Sequence, residues 1–362
     1  VMPPKMKVLV LEPYYGGSHE SFIKGLLRLP FRFEVITLPA RKWKWRMRLS
    51  APHFAQELQK SRKRFDRIIC STFVDVAAFR GMGPSWVRDV PLLTYFHENQ
   101  FAYPTQVEDE RDLHFGLTNA TTALASDSLA FNSKYNLRTF LEGLKGLLKH
   151  STDMKLQDPV ARIRAKSRVL PPGLDFSGID TAPGAPPGGP PVVLWNHRWE
   201  HDKNPEAFFE ALFELQGAGV DFRVVVLGES FERKPAVFEE ARSRLGHRIL
   251  HFGFARSRRQ YAKLLRLGDI VVSTSRHEFF GISVLEAVRA GCRPLLPRRL
   301  SYPEMFPRRF LYDDENFHRE LRETILNNQR LRAGEAKALT EPNSWDALAP
   351  SYEDWIRNAR LV

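Results

Sequence analysis

The chain has 362 residues, enough for two domains of ordinary size. Its 43% hydrophobic and 27% charged residues exclude a wholly disordered or collagen-like chain, and its two cysteines exclude a disulfide framework or a four-cysteine zinc site. The 54 Lys and Arg outnumber the 42 Asp and Glu, giving a net charge of +12 and a pI near 9.8, which favours an anionic partner such as nucleic acid, nucleotide or anionic membrane.

The N-terminal half alternates short apolar runs with longer amphipathic ones. Residues 7–12 (KVLVLE) read as a buried strand, whose apolar stretch Val8–Leu11 stops at Glu12 and is too short for a secretory signal. Residues 18–29 read as a helix, 31–39 as a strand and 50–60 as a helix. Further strands fit residues 65–72, 91–99 and 128–133, with helices over about 109–126 and 134–149. This alternation predicts a parallel sheet covered on both faces. No window approaches the roughly 20 apolar residues that span a bilayer. With the cysteine usage, that places the protein in the cytoplasm.

Residues 181–191 (TAPGAPPGGPP) hold eight Pro or Gly in eleven positions and can continue neither a helix nor a central strand. Alternation then restarts, with strands at 192–199, 222–229, 248–253, 269–275 and 293–297 and helices at 204–216, 235–245, 257–266 and 282–290. The expected organisation is an N-terminal domain over 1–178, a linker over 179–191, a second domain over 192–340, and a last helical stretch over 341–362. That stretch carries Trp345, Tyr352 and Trp355 and either returns to the first domain or makes a dimer contact. Two Rossmann-like, doubly wound α/β domains would face a central crevice at the C-terminal ends of their strands, where ligands bind.

Three loops carry residue types suited to chemistry. Gly16 and Gly17 lie between the first strand and the first helix, where backbone N–H groups can approach a phosphate or other anionic oxygen. Arg198 and Lys203 flank a loop after a strand and could offset the charge of a departing diphosphate. Glu278 and Glu286 are separated by seven residues, with Gly281 and Ile282 at a helix start between them. Carboxylates accept hydrogen bonds from sugar hydroxyls, and a helix N-terminus favours phosphate, so this element describes a nucleotide-sugar site.

The Glu-x7-Glu element, the Arg-x4-Lys loop and the Gly-Gly loop on paired α/β domains resemble the GT-B glycosyltransferases, specifically the large retaining family with many mannosyltransferases. Residues 12–19 (EPYYGGSH), 38–46 (LPARKWKWR) and 95–100 (YFHENQ), with Tyr103-Pro, resemble the tRNA-queuosine α-mannosyltransferases. The resemblance implies transfer of mannose from GDP-mannose to queuosine in the anticodon of aspartate tRNA, with retention of configuration. It also implies roles by position. Gly16 and Gly17 lie near the donor phosphate and sugar, Arg198 and Lys203 hold the diphosphate, Glu278 binds the sugar and Glu286 the ribose. The backbone around Gly253-Phe254 abuts the base, and His97 faces the sugar and the reaction centre.

The chain has no Asp-x-Asp pair, and no cofactor or metal is expected beyond the nucleotide sugar. On the acceptor side, residues 41–48 hold five cations and two tryptophans: Lys42, Trp43, Lys44, Trp45 and Arg46 are expected to meet phosphates and bases. Glu98, Asn99 and Gln100 are expected to meet the modified base and its diol. Two other readings suit the same residues: a glycosyltransferase with a lipid or polysaccharide acceptor at the inner membrane surface, or a non-catalytic RNA-binding protein on a GT-B scaffold.

Overall fold

A computed structural model describes residues 5–103, 113–150, 153, 155–184, 188–230, 235–327 and 329–361. The chain divides into two compact units, residues 1–174 with 345–362, and residues 175–344. Among the described residues each unit holds one six-stranded, all-parallel sheet.

The strands of the first unit are β1 (Lys7–Tyr15), β2 (Arg32–Pro39), β3 (Arg67–Ser71), β4 (Leu92–Phe96), β5 (Ser128–Phe131) and β6 (Ser167–Val169), in spatial order β2-β1-β3-β4-β5-β6. β1 shows why this sheet is buried on both sides. Val8 and Val10 pack on one face with Phe22, Ile23, Trp345 and Trp355, while Leu9 and Leu11 pack on the other with Phe54, Leu58 and Phe79. A strand whose alternate residues are all apolar needs a helical layer on each face. β6 escapes sequence reading because three half-buried residues, Ser167–Val169, carry little apolar signal.

The last helix, Trp345–Asn358, closes one face of this first sheet. The Trp345 indole occupies a gap left by two glycines: a Cβ at Gly25 would lie 1.8 Å from its Nε1, and one at Gly173 2.3 Å from its Cδ2. Tyr352 donates its hydroxyl proton to the Pro171 carbonyl at 2.8 Å, and Trp355 Nε1 donates to Ser128 Oγ at 2.9 Å.

The second unit contains β7 (Val192–Asn196), β8 (Arg223–Leu227), β9 (Ile249–Gly253), β10 (Ile270–Val272), β11 (Arg293–Pro297) and β12 (Leu311–Tyr312), in spatial order β12-β11-β10-β7-β8-β9. Its boundary falls at Leu174/Asp175, ahead of the Pro/Gly-rich stretch expected to divide the domains at 179–191. The cause is a short helix, Ser177–Asp180, anchored in the second unit. Arg289 clamps the Asp180 carboxylate with two bonds of 2.7 Å, and Arg266 donates to the Ile179 carbonyl. Long-range charge pairing, which no local pattern reveals, overrides the composition break.

The helix expected from residue 50 begins at Trp43 and runs to Gln59. Pro52 suggests a helix start, because proline suits the first turn, but here it lies inside the helix. Consequently the basic stretch after β2 forms the opening turns of a helix. Among the described residues no helix is long and apolar enough to cross a membrane.

Candidate active site

In the second unit the chemistry gathers after β7 and β10. Lys203, only 6% exposed, donates from Nζ to the His277 carbonyl at 2.7 Å and lies 3.4 Å from Glu278 Oε2 and 3.2 Å from Asp202 Oδ2. Burial pushes the Glu278 pKa upward, but the Lys203 ammonium and the neighbouring histidines outweigh it and hold the group at about 2. Glu278 is therefore an ionised acceptor at neutral pH. His197 and His277 border the same cluster, and burial with the Lys203 charge draws both imidazoles down to about 4, so both are neutral.

Arg198 and Lys203 do not share one environment. The Arg198 side chain is half exposed and lies 3.1 Å from Glu200, whereas Lys203 is enclosed on Glu278 and Asp202. Spacing alone made them look alike; burial separates a surface cation from an internal one.

Gly281 takes a φ of +101°, a left-handed conformation that glycine adopts without strain, and a Cβ there would lie 3.0 Å from Tyr302. It launches the helix Ile282–Arg289, whose second turn carries Glu286. Glu286 is buried, and its two oxygens accept from Arg258 Nη2 at 2.9 Å and Tyr261 Oη at 2.7 Å. A carboxylate has about four acceptor sites, so capacity for hydroxyl donors remains. Asn196 Nδ2 donates to Tyr261 Oη and to the Ser283 carbonyl, tying the end of β7 to this helix. Gly253 ends β9 at a φ of +127°, and Phe254 beyond it is 69% exposed.

In the first unit the two adjacent glycines serve different ends. Gly16 is extended, and a Cβ there would lie 2.6 Å from Ala40 Cβ; Gly17 has a φ of +54° and opens the first helix into free space. Beneath them Glu12 is buried, with His19 Nδ1 3.1 Å from one carboxylate oxygen. The His19 and His97 rings lie 4.0 Å apart between centroids. Donor atoms of Glu12, His19 and His97 lie within 4.8 Å of one another, close enough to be considered for a metal ion. The expectation of no metal centre, drawn from Asp-x-Asp spacing, did not weigh this cluster.

The loop after β4 corrects one expectation. Asn99 is fully buried and cannot form part of an acceptor surface. Its amide donates to Asn136 Oδ1 at 2.9 Å and Thr139 Oγ1 at 3.0 Å, and its Oδ1 accepts from the Phe101 and Ala102 amides. Asn99 thus shapes the loop that presents Glu98 and Gln100, both partly exposed. Gln100 is held from its backbone, which donates to the buried Asn119.

On the basic helix, Lys42, Lys44 and Trp45 are exposed, Trp45 by 64%. Arg41, Lys42, Trp45 and Arg46 line a recess of about 400 Å³. Arg46 is partly committed, donating from Nε and Nη2 to the Pro39 carbonyl. Trp43 is half-buried against Phe115 and Tyr103, so of the two tryptophans Trp45 offers the accessible indole face.

The family described as "tRNA-queuosine alpha-mannosyltransferase N-terminal" matches residues 7–174, and "Glycosyl transferases group 1" matches residues 179–309. The tRNA-queuosine alpha-mannosyltransferase of Drosophila melanogaster is 36% identical over 322 residues, covering 86% of this chain and 85% of that protein. The chain belongs to the tRNA-queuosine alpha-mannosyltransferase family. It is therefore an enzyme, a glycosyltransferase.

A GDP-mannose-dependent alpha-(1-6)-phosphatidylinositol dimannoside mannosyltransferase of Mycobacterium tuberculosis is 30% identical over 118 residues, covering 32% of this chain and 30% of that protein. Among solved structures, sucrose-phosphate synthase from Thermosynechococcus elongatus matches with a TM-score of 0.71 and 13% identity, over 97% of this chain and 98% of the other. The catalytic domain of starch synthase IV from Arabidopsis thaliana, bound to ADP and acarbose, matches with a TM-score of 0.70 and 14% identity, over 99% of each chain. These likenesses establish the GT-B fold for this member of the tRNA-queuosine alpha-mannosyltransferase family.

Sequence reasoning about this family member missed the partners that set its site. Asp202 and the His277 carbonyl hold Lys203 beside Glu278, Arg258 and Tyr261 hold Glu286, and Asn119, Asn132 and Asn136 shape the loop after β4. Isolated polar residues inside apolar helices and at strand ends were the available signal; their partners lie tens of residues away.

Proposed function

We propose that this chain is a cytoplasmic, retaining enzyme that moves mannose from GDP-mannose to the cyclopentenediol of queuosine in the anticodon of aspartate tRNA. The observation that carries the donor half is Glu278: an ionised carboxylate locked on a buried lysine, just ahead of a helix N-terminus and eight residues before Glu286. Polyol recognition and phosphate recognition adjoin there. Glu278 accepts from sugar hydroxyls and Glu286 from the ribose. Arg198, Gly16, Gly17 and the amides of Gly281 and Ile282 serve the diphosphate and sugar, and Phe254 lies along the base. Lys203 works from within by fixing Glu278 and supplying positive potential. His97 contacts the transferred sugar.

In the reaction the bond from the sugar anomeric carbon to the diphosphate oxygen breaks through an oxocarbenium-like state. A queuosine hydroxyl forms the new bond from the same face, and its proton passes to the departing diphosphate oxygen. Positive charge near that oxygen stabilises the transition state. On the acceptor side, Lys42, Lys44 and Arg46 meet phosphates, Trp45 stacks on an exposed base, and Glu98 and Gln100 meet the modified base. The basic surplus of the chain and a family relationship that spans 86% of it support this acceptor.

The test is transfer of radiolabel from GDP-mannose to two matched tRNA pools, with and without queuosine. Label is expected in the queuosine-containing pool alone. Label in a lipid extract and in neither pool would refute the tRNA acceptor in favour of a membrane one.

A further inference from the structure

Glu12 and His19 have no role in the donor and acceptor readings, yet both are buried titratable groups of the first unit. Glu12 is 1% exposed near the end of β1, where one carboxylate oxygen accepts from the Tyr14 amide at 2.9 Å and the Ser71 hydroxyl at 3.1 Å. Those bonds fix the carboxylate from the sheet. Its other oxygen faces His19 Nδ1 at 3.1 Å. The His19 ring lies over the His97 ring, 4.0 Å between centroids and tilted by 31°. Phe22 meets His97 edge-on at 4.9 Å and Tyr95 at 4.6 Å, so His97 is packed by three rings. Its Nε2 is buried and has no hydrogen-bond partner among the described residues.

Two chemistries suit a Glu-His-His cluster, and the ring geometry distinguishes them. A metal ion needs nitrogen lone pairs that converge on one point, and those lone pairs lie in the imidazole planes. Rings that overlap at 4.0 Å between centroids with a tilt of 31° direct much of their planes past one another. One Glu12 oxygen is also already committed to the Tyr14 amide and the Ser71 hydroxyl. The arrangement instead resembles a fixed carboxylate bracing one ring against a second, the way outer residues hold a reacting group in place.

We propose that Glu12 and His19 are positioning residues for His97: the carboxylate fixes the His19 ring, and that ring holds the His97 imidazole in the orientation it uses toward the transferred sugar. The inference rests on the reading that His97 touches that sugar. Burial draws the His19 pKa down, but Glu12 beside it, helped by Glu98, lifts it above the ordinary histidine value. Burial, reinforced by the positive His19, holds His97 well below that value, so His97 is neutral and can exchange hydrogen bonds with a hydroxyl. The other titratable groups around the pair are Glu98 on the loop after β4 and Tyr14, whose ring meets His19 at 6.0 Å. Tyr95 on β4 donates its hydroxyl proton to the Leu170 carbonyl, and burial pushes the Cys70 thiol on β3 up to about 12.

The test compares His19→Phe, Glu12→Gln, His97→Ala and the double variant H19F/H97A, each checked against the wild-type melting temperature. H19F keeps a ring in the stack but loses the carboxylate bond and the charge. Its kcat should fall by ~10- to 100-fold, the scale of a misplaced catalytic group, with the donor KM within about twofold. The acid limb of its kcat/KM profile should move to higher pH, because His97 loses a cationic neighbour. E12Q, which keeps a polar side chain of the same shape beside His19, should keep kcat within a few-fold of wild type. The double variant should be no slower than H97A. A loss in H19F that is carried undiminished into the H97A background, or an unmoved acid limb, overturns the proposal. So does Zn²⁺ bound at one equivalent by the wild type and released in H19F. Wild-type turnover in H97A would remove the reading of His97 itself, and the inference with it, and is separable from the other outcomes because it needs no change at position 19.

Discussion

Trp45 and Trp43 provide a controlled contrast, two indoles two residues apart with opposite structural commitments. Trp45 is 64% exposed and borders the recess lined by Arg41, Lys42 and Arg46. Trp43 packs at 5.1 Å from the Phe115 ring, with Lys44 5.7 Å above its own. Base stacking on an aromatic side chain is worth about 1–3 kcal/mol, so Trp45→Ala should weaken binding of a queuosine-containing anticodon stem-loop by roughly 5- to 150-fold. Removing an exposed side chain with few contacts should change stability by less than about 0.5 kcal/mol. Trp43→Ala should do the reverse: about 2 kcal/mol of stability lost from a half-buried site, a fall of roughly 4–8 °C in Tm, and a smaller effect on affinity. Fluorescence anisotropy at several salt concentrations, with thermal melting, separates these effects. W45A carries no charge change and should leave the salt slope intact, whereas the triple variant K42Q/K44Q/R46Q should lower it by about 2, at roughly 0.7 per phosphate contact to single-stranded RNA. Wild-type affinity in W45A at low salt would refute the assignment of this helix to the acceptor.

Lys203→Met should cost about 3–5 kcal/mol and abolish donor binding, because it leaves Glu278 and Asp202 as uncompensated, largely buried charges; a melt within 2 °C of wild type would contradict this. The Glu278 pKa lies at about 2, below its ordinary 4.5. Its contribution, on the order of 3 kcal/mol, is therefore complete above about pH 4.5 and lost as pH falls toward 2. Glu278→Gln should flatten that acid limb in urea unfolding at stepped pH, while abolishing transfer and sparing tRNA affinity. Gly25→Ala inserts a Cβ 1.8 Å from Trp345 Nε1 and should displace the last helix, seen as new proteolytic cleavage ahead of residue 345 and a loss of roughly 3 kcal/mol. Unchanged protection would show that the indole is not held in this gap.

The candidate site was legible where its chemistry is written over a short span. Glu278, Gly281 and Glu286 belong to one loop-helix element, so residue type and spacing suffice to group them. The helix carrying Trp45 was legible in composition but not in boundary, since Pro52 mimics a helix start. Asn99 was misread for a different reason. Nothing in YFHENQ distinguishes a loop amide that faces solvent from one enclosed by Asn136 and Thr139, which come from a helix beginning 35 residues later, at Lys134.

The sequence by itself determined that the chain builds two parallel sheets, because a near-continuous apolar run of about five residues is a local property that burial on both faces requires, although the short strands β6 and β12 carry too few such residues to be read. It also placed Glu278, Gly281 and Glu286 on one loop-helix element. Only the tertiary structure decided that Lys203 is enclosed on a backbone carbonyl 74 residues away, and that the final helix completes the first unit through Trp345. Only it brought Glu12, His19 and His97 into one stack. Burial and charge pairing are set by which distant segments share a surface, and in a parallel sheet every neighbouring strand is reached through a long crossover, so those partners are remote in the chain.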